Sequence, residues 1–326
     1  MLKRNYKYLF GPVNSRRLGV SLGVDLAPRK VCSLDCVYCE VGATTVLTME
    51  RKEYVKYDKV VEELHHYLEN NPMPDFVTIT GSGEPTLNSR FGDVILFLKT
   101  NYPLVKIAVL TNGTTLNNPE VRRELLPADM VMPSLDAVSK EVFEKIDKPE
   151  SSINIDEYIS GLIHFSQEYK GELNLEILFL KGYNDHESEL KLLRDIILKI
   201  KPTRVQLNTL DRPGVLADLK PLTYNELEVV AKIIDYPNID IIARRSEAKQ
   251  SSESKVTISE SMVLELLKRR PCTLFDIAEV TIESDFEKIN EILEVLIQKG
   301  RVEEVVENGV RFYKFIIQQK KKEPKN

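Results

Sequence analysis

The chain has 326 residues, 42% of them hydrophobic, and carries 45 Lys and Arg against 50 Asp and Glu. A net charge of −5 argues against a protein that coats nucleic acid by bulk charge, while a local basic patch stays open. No apolar run approaches the roughly 18–20 residues of a membrane helix, and the N-terminus lacks the apolar stretch of a signal peptide, so no membrane partner is expected.

Length suits one large domain and one small one. From the N-terminus, short Val-, Ile- and Leu-rich runs alternate with segments of helical period. The pattern predicts strands near 19–26, 75–80, 105–110, 129–133, 173–180 and 204–209. It predicts helices near 58–70, 89–101, 118–125, 139–146, 155–169, 186–200 and 224–235. Strand-helix units in series imply a parallel sheet with right-handed crossovers. Six such strands are too few for a closed eight-stranded barrel. The expected fold is therefore α/β, a partial (β/α)6 TIM-like barrel over residues 1–243, with a doubly wound flat sheet as the alternative.

Two of these strands alternate polar and apolar residues. Asn174 and Glu176 interleave with Leu173, Leu175 and Ile177, and Gln206 and Asn208 with Val205 and Leu207. Period-two alternation places the polar set on one face. A flat parallel sheet buries both faces and reads as continuous apolar runs. A polar face instead fits a wet lumen, or interior groups that satisfy one another.

Composition changes after Ile242. Residues 244–256 are polar and Ser-rich and read as a linker. Helices are predicted near 259–269, 273–280 and 285–299, with Gly300 placed for a C-cap. Residues 301–306 and 310–315 then flank Glu307-Asn308-Gly309, a strong hairpin signal. Three helices and a hairpin are the layout of a winged helix, expected over 257–317. The Lys-rich end, 318–326, is expected to be disordered.

Cysteine usage is the most informative signal. Cys32, Cys36 and Cys39 form C-x3-C-x2-C directly after the first predicted strand. Four cysteines, three of them clustered, are no disulfide framework, and a reducing cytoplasm fits. Three thiolates are one ligand short of a closed zinc site; a [4Fe–4S] cluster held by three would keep one iron open. Zinc requires a fourth ligand, for which Cys272, His65 and His66 are the candidates. The next motif, Thr80-Gly81-Ser82-Gly83-Glu84-Pro85, follows the second predicted strand and offers close backbone approach and one carboxylate.

With Tyr38 just before Cys39, the cysteine motif resembles that of the radical S-adenosylmethionine (SAM) superfamily. The Gly81–Glu84 stretch is similar to the superfamily's Gly-Gly-Glu loop, with Ser82 in place of one glycine. The resemblance spans roughly 8–245 and is nearest the branch of the wyosine-tRNA synthase and molybdenum-cofactor A proteins. It implies one [4Fe–4S] cluster on Cys32, Cys36 and Cys39, with SAM chelating the open iron. It places Glu84 on the SAM ammonium, with Gly81 and Gly83 giving clearance, and Ser134 and Asp136 on the ribose. Tyr38, Thr111, Asn112, Glu176, Gln206 and Asn208 complete the expected cofactor surroundings. A flavodoxin or ferredoxin is the implied electron donor, and the branch admits RNA among peptide and small-metabolite substrates. Cys272 alone remains for any second cluster, so neither named reaction carries over.

Arg16 and Arg17 read either as guides for an anionic substrate or as a solvated pair. Arg212-Pro213-Gly214 reads as a loop near cofactor or substrate. Lys145 and Lys148 read as a solvated helix end. An iron–sulfur redox-sensing regulator, with the winged helix as output, is the alternative function. The third helix of that unit carries Asp285, Glu287, Glu291 and Glu294 against Lys288 and Lys299, which disfavours DNA, because phosphate contacts need positive charge.

Overall fold

A computed structural model describes residues 6–15, 17–27, 30–243, 258–268, 270–279, 286–307 and 309–316. Arg16, Asp285, Asn308, the expected linker 244–256 and the tail 318–326 lie outside the described residues. The chain divides into two compact units, Met1–Gln250 and Ser251–Asn326.

In the first unit, β1 (Leu9–Ser15) and β2 (Gly19–Asp25) precede two short strands, β3 (Val31–Cys32) and β4 (Val46–Leu47). Then follow α1 (Tyr57–Asn70), β5 (Phe76–Thr80), α2 (Phe91–Asn101), β6 (Lys106–Thr111), α3 (Pro119–Leu125) and β7 (Met130–Pro133). The unit continues with α4 (Lys140–Ile146), α5 (Ile155–Glu168), β8 (Glu172–Phe179), α6 (Glu187–Ile200), β9 (Arg204–Thr209), α7 (Tyr224–Ile234) and β10 (Ile239–Ile242). The main sheet has eight strands in the order β1-β2-β5-β6-β7-β8-β9-β10. Only β1 runs antiparallel to its neighbour; β2 onward pair in parallel.

Two strands differ from the expected six. The sequence of β1 contains Gly11-Pro12, which reads as a turn; the ladder is irregular between Phe10 and Val13. Proline donates no hydrogen bond and is tolerated at such an irregularity on an edge strand. At the other edge, β10 is only four residues long and half-buried, too short for a pattern.

Strand order decides between the two expected architectures. A doubly wound sheet reverses direction at a switch point, whereas these strands follow chain order throughout. Right-handed crossovers then place every helix on one face. Leu22, Val24, Val77, Ile79, Ile107, Val109, Val131, Leu175, Ile177, Val205 and Leu207 share one core with Leu64, Leu98, Leu162, Leu193 and Leu227 of the helices. The opposite face carries Ser21, Thr78, Asn174, Glu176, Gln206 and Asn208, with a small apolar cluster of Leu18, Ala108, Met130 and Met132. Arg17, in the β1–β2 turn, forms an ion pair with Glu176 of β8. Four strand spacings separate β2 from β8, roughly 19 Å if the sheet were flat. One arginine side chain cannot span that, so the sheet curls into a trough. β1 and β10 are not paired with each other, and the trough stays open.

The second unit holds α8 (Glu260–Leu267), α9 (Leu274–Glu279), α10 (Phe286–Gln298), β11 (Val302–Glu307) and β12 (Val310–Phe315). The helices and hairpin follow the expected order. Val263, Leu267, Ile277, Ile289, Leu293 and Leu296 form its core with Val302 and Tyr313. Gly300 takes φ +62°, and the Arg301 N–H donates to the Leu296 carbonyl, which ends α10.

Candidate active site

The cysteine loop leaves β2 at the C-terminal ends of the parallel strands, where α/β folds of this type collect their chemistry. It is pinned from several sides. The Asp35 N–H donates to the Asp147 carbonyl, and the Val37 N–H to the Ile146 carbonyl, just past α4 (3.0 and 2.9 Å). The Ser33 and Thr114 hydroxyls lie 2.7 Å apart, which ties the loop to the end of β6. From beyond β9, the Val215 and Leu216 N–H groups both donate to the Val37 carbonyl (3.0 and 3.1 Å). Cys32, Cys36 and Cys39 are all half-buried and free, and Cys39 N–H donates to the Cys36 carbonyl at 3.2 Å.

Burial dominates the electrostatics of Cys32 and Cys36. Burial, then the nearby Glu84 carboxylate, pushes the Cys32 thiol up to about 12. Burial, then Asp147, pushes the Cys36 thiol well above its ordinary value, and the other two cysteines add to the effect. Coordination removes the proton from a thiol outright. Among the described residues no three His, Cys, Asp or Glu side chains already surround a metal position; the three cysteines are nonetheless of the soft-donor type that takes iron. Of the zinc candidates, His65 Nδ1 lies 2.5 Å from the Tyr102 hydroxyl and His66 Nδ1 2.9 Å from the Tyr6 hydroxyl. Cys272 belongs to the other unit, with its thiol 3.5 Å from the Arg270 carbonyl.

The Gly81–Glu84 segment packs beside this loop. A Cβ on Gly83 would lie 1.8 Å from the Val31 carbonyl oxygen, and one on Gly81 would lie 2.9 Å from the Ala27 Cβ. In the chain itself these glycines give room to Val31 and Ala27. Ser82 is accommodated by Asp25 at the end of β2, whose carboxylate accepts from the Ser82 hydroxyl (2.7 Å) and N–H (3.1 Å).

Glu84 is only 1% exposed. Its Oε1 accepts from Thr86 N–H (3.0 Å), Thr86 Oγ1 (2.5 Å) and Thr111 Oγ1 (2.7 Å). Its Oε2 accepts from the Asn112 N–H at 2.7 Å. Burial raises its pKa above the ordinary carboxylate range, and these four bonds oppose the rise. The expected ammonium ligand is thus first a clasp between the loops after β5 and β6. Asn112 extends the clasp: Nδ2 donates to Ser33 Oγ at 2.9 Å and lies 3.6 Å from Cys32 Sγ.

Ser134 sits at the end of β7, bridged to Glu176 of β8, with its carbonyl accepting from the Tyr158 hydroxyl. Asp136 faces inward. Its carboxylate accepts from the Tyr38 hydroxyl and from the Leu178 N–H (2.7 Å), and it is 4% exposed. Burial lifts its pKa to about 6. Asp136 thereby anchors Tyr38, and through it the cysteine loop, to β8. Gln206 is buried and Asn208 half-buried on the trough face of β9. The structure thus gathers Cys32, Glu84, Thr111 and Asn112 into one network, and Tyr38 and Asp136 into a second. Glu176, paired with Arg17, stands apart from both. Arg17 is exposed in the β1–β2 turn, with its guanidinium held by Glu176. Asp25 and Asp147 are supporting residues that the motifs did not signal, because each acts through a partner distant in sequence.

The model of the radical SAM superfamily matches residues 28–193, about half of the chain. The chain belongs to the radical SAM superfamily. A UPF0026 protein of Helicobacter pylori J99 is 38% identical over 83% of this chain and 87% of its own length. A Brachyspira hyodysenteriae protein named GTPase Obg is 37% identical over 95% of this chain, which spans only 45% of that relative. No G-x4-G-K-[ST] phosphate loop occurs in the present sequence. A GTP 3′,8-cyclase of Limosilactobacillus fermentum is 25% identical over 48% of this chain and 45% of that protein. Among solved structures, a radical SAM methyltransferase from Sphaerobacter thermophilus has a TM-score of 0.53 at 16% identity, over 68% of this chain and 66% of that one. TYW1 with a lysine-pyruvate adduct has a TM-score of 0.50 at 18% identity, over 67% and 74%. These two share the radical SAM fold. Membership makes SAM-dependent radical chemistry the activity of this chain's class. Among the described residues, no helix is long and apolar enough to cross a membrane.

Proposed function

We propose that this radical SAM protein is an enzyme in which Cys32, Cys36 and Cys39 hold a single [4Fe–4S] cluster, and that SAM is cleaved there. The observation that supports the reading is the C-x3-C-x2-C spacing of three half-buried free cysteines along one pinned turn, with the remaining cysteine in the other unit. When bound, the cluster supplies a vacant iron for SAM and the electron that releases a 5′-deoxyadenosyl radical for hydrogen abstraction.

The chain's own residues prepare the site. Asn112 and Ser33 orient Cys32, Asp147 backs Cys36, and Tyr38 is held by Asp136. Glu84 Oε2, with one donor from the protein, is the oxygen left to meet the SAM ammonium. Ser134, half-buried just past β7, and Asp136 are the groups assigned to the ribose.

We assign the second unit as a winged helix that binds protein or substrate and not DNA. The exposed positions of α10 include Glu287, Glu291 and Glu294, which repel phosphate. Anaerobic reconstitution tests the catalytic reading. The expected outcome is a cluster EPR signal that SAM perturbs, together with 5′-deoxyadenosine formation that Cys36→Ala abolishes. Protein with no iron, or a Cys36→Ala variant that still cleaves SAM, would overturn it.

A further inference from the structure

The trough face below the cysteine loop holds two buried amides whose oxygens meet nothing in the protein. Asn174 is 3% exposed and Gln206 4% exposed, and neither Asn174 Oδ1 nor Gln206 Oε1 has a hydrogen-bond partner among the described residues. The orientation of Asn174 is settled by its neighbour. Its Nδ2 donates to the Glu172 carboxylate at 3.1 Å, which accepts only, so Oδ1 is the unpartnered acceptor. A buried polar atom left without a partner is destabilising, and a ligand that donates to it removes that cost.

The register sets the two amides on adjacent strands. Asn174 pairs with Arg204, and Gln206 with Glu176. They are diagonal neighbours, about 8 Å apart by strand spacing and rise. Beside them on the same face lie Leu18, Ala108, Met130 and Met132, an apolar bed, with Met130 Sδ 3.5 Å from Asn174 Nδ2. Methionine sulfur packs well against aromatic rings. Charge excludes one class of guest. Arg17 is neutralised by Glu176, and Glu172 adds a carboxylate, so an anion meets no net positive potential there. The ion pair with Glu176 counts against Arg17 as an anion guide.

We propose that this part of the trough binds the substrate through an uncharged nitrogen heterocycle, whose N–H groups donate to Asn174 Oδ1 and Gln206 Oε1 while its face lies on Met130 and Met132. This rests on the radical SAM reading above and adds the class of group the enzyme holds.

The test is saturation-transfer NMR on the full chain, reconstituted anaerobically with SAM, using cytosine, adenine and nicotinamide against acetate and inorganic phosphate. At least one heterocycle should bind, with affinity at least tenfold weaker in Gln206→Met and in Asn174→Leu, while acetate and phosphate do not bind. Circular dichroism checks that each variant folds. Glu176→Gln, which releases the Arg17 charge, should gain phosphate binding. The inference is overturned if no heterocycle binds, if the variants bind as the parent does, or if the anions bind the parent. Iron content and 5′-deoxyadenosine formation by the parent are measured in the same samples. Their absence sinks the radical SAM reading instead, so the two failures are told apart.

Discussion

A Cβ on Gly214 would lie 2.8 Å from the Tyr38 Cα. The loop after β9 and the cysteine loop after β2 therefore meet backbone to backbone, although the two strands are five places apart in the sheet. The backbone of Gly214 is not in the left-handed region, so space and not strain demands glycine there. Gly214→Ala should push the loops apart and weaken the bonds from Val215 and Leu216 to the Val37 carbonyl. The expected result is a several-fold fall in iron bound per chain at unchanged far-UV circular dichroism. Full iron loading would contradict the arrangement.

Glu84 is the next residue to probe. Glu84→Gln replaces one accepting oxygen by an N–H group that faces other donors, either at Asn112 N–H or at the Thr86 and Thr111 pair. Each orphaned buried donor costs about 1–3 kcal/mol. At about 2–4 °C per kcal/mol for a domain of this size, the apoprotein should melt several degrees lower. An unchanged melting temperature would show that the carboxylate does not clasp the two loops.

Asn112 tests the sulfur environment separately from SAM binding. Its Nδ2 lies 3.6 Å from Cys32 Sγ, and hydrogen bonds to ligand sulfurs raise a cluster's reduction potential. Asn112→Ala should therefore give a more negative midpoint in an EPR-monitored titration without SAM. A midpoint equal to the parent's would remove Asn112 from the cluster's surroundings.

Acid stability follows from a pair remote from the site. The Lys181 ammonium, then the N-terminal bonds of Thr223, hold the Glu226 carboxyl down to about 2. A depressed carboxyl contributes stability above its unfolded value, near 4.5, and that contribution disappears as pH falls toward 2. Melting temperature should thus fall between these limits more steeply for the parent than for Glu226→Gln. Parallel acid limbs would rule out a role for this pair. The effect is small because the pair is exposed to solvent.

Local pattern alone marked out much of this protein. Strand-helix alternation, the polar and apolar halves of β8 and β9, the Asn-Gly hairpin and the three spaced cysteines are set by neighbours two to four residues apart. Such spacings already carry the periods of strands, helices and metal loops. Tertiary structure decided what distant neighbours control: the curl that lets Arg17 reach Glu176, the edge strands β1 and β10, and the inward turn of Glu84 and Asp136. A carboxylate beside a glycine-rich turn looks the same in sequence whether it faces a ligand or three threonine and asparagine donors. Only burial and the partners brought there by the curled sheet separate the two.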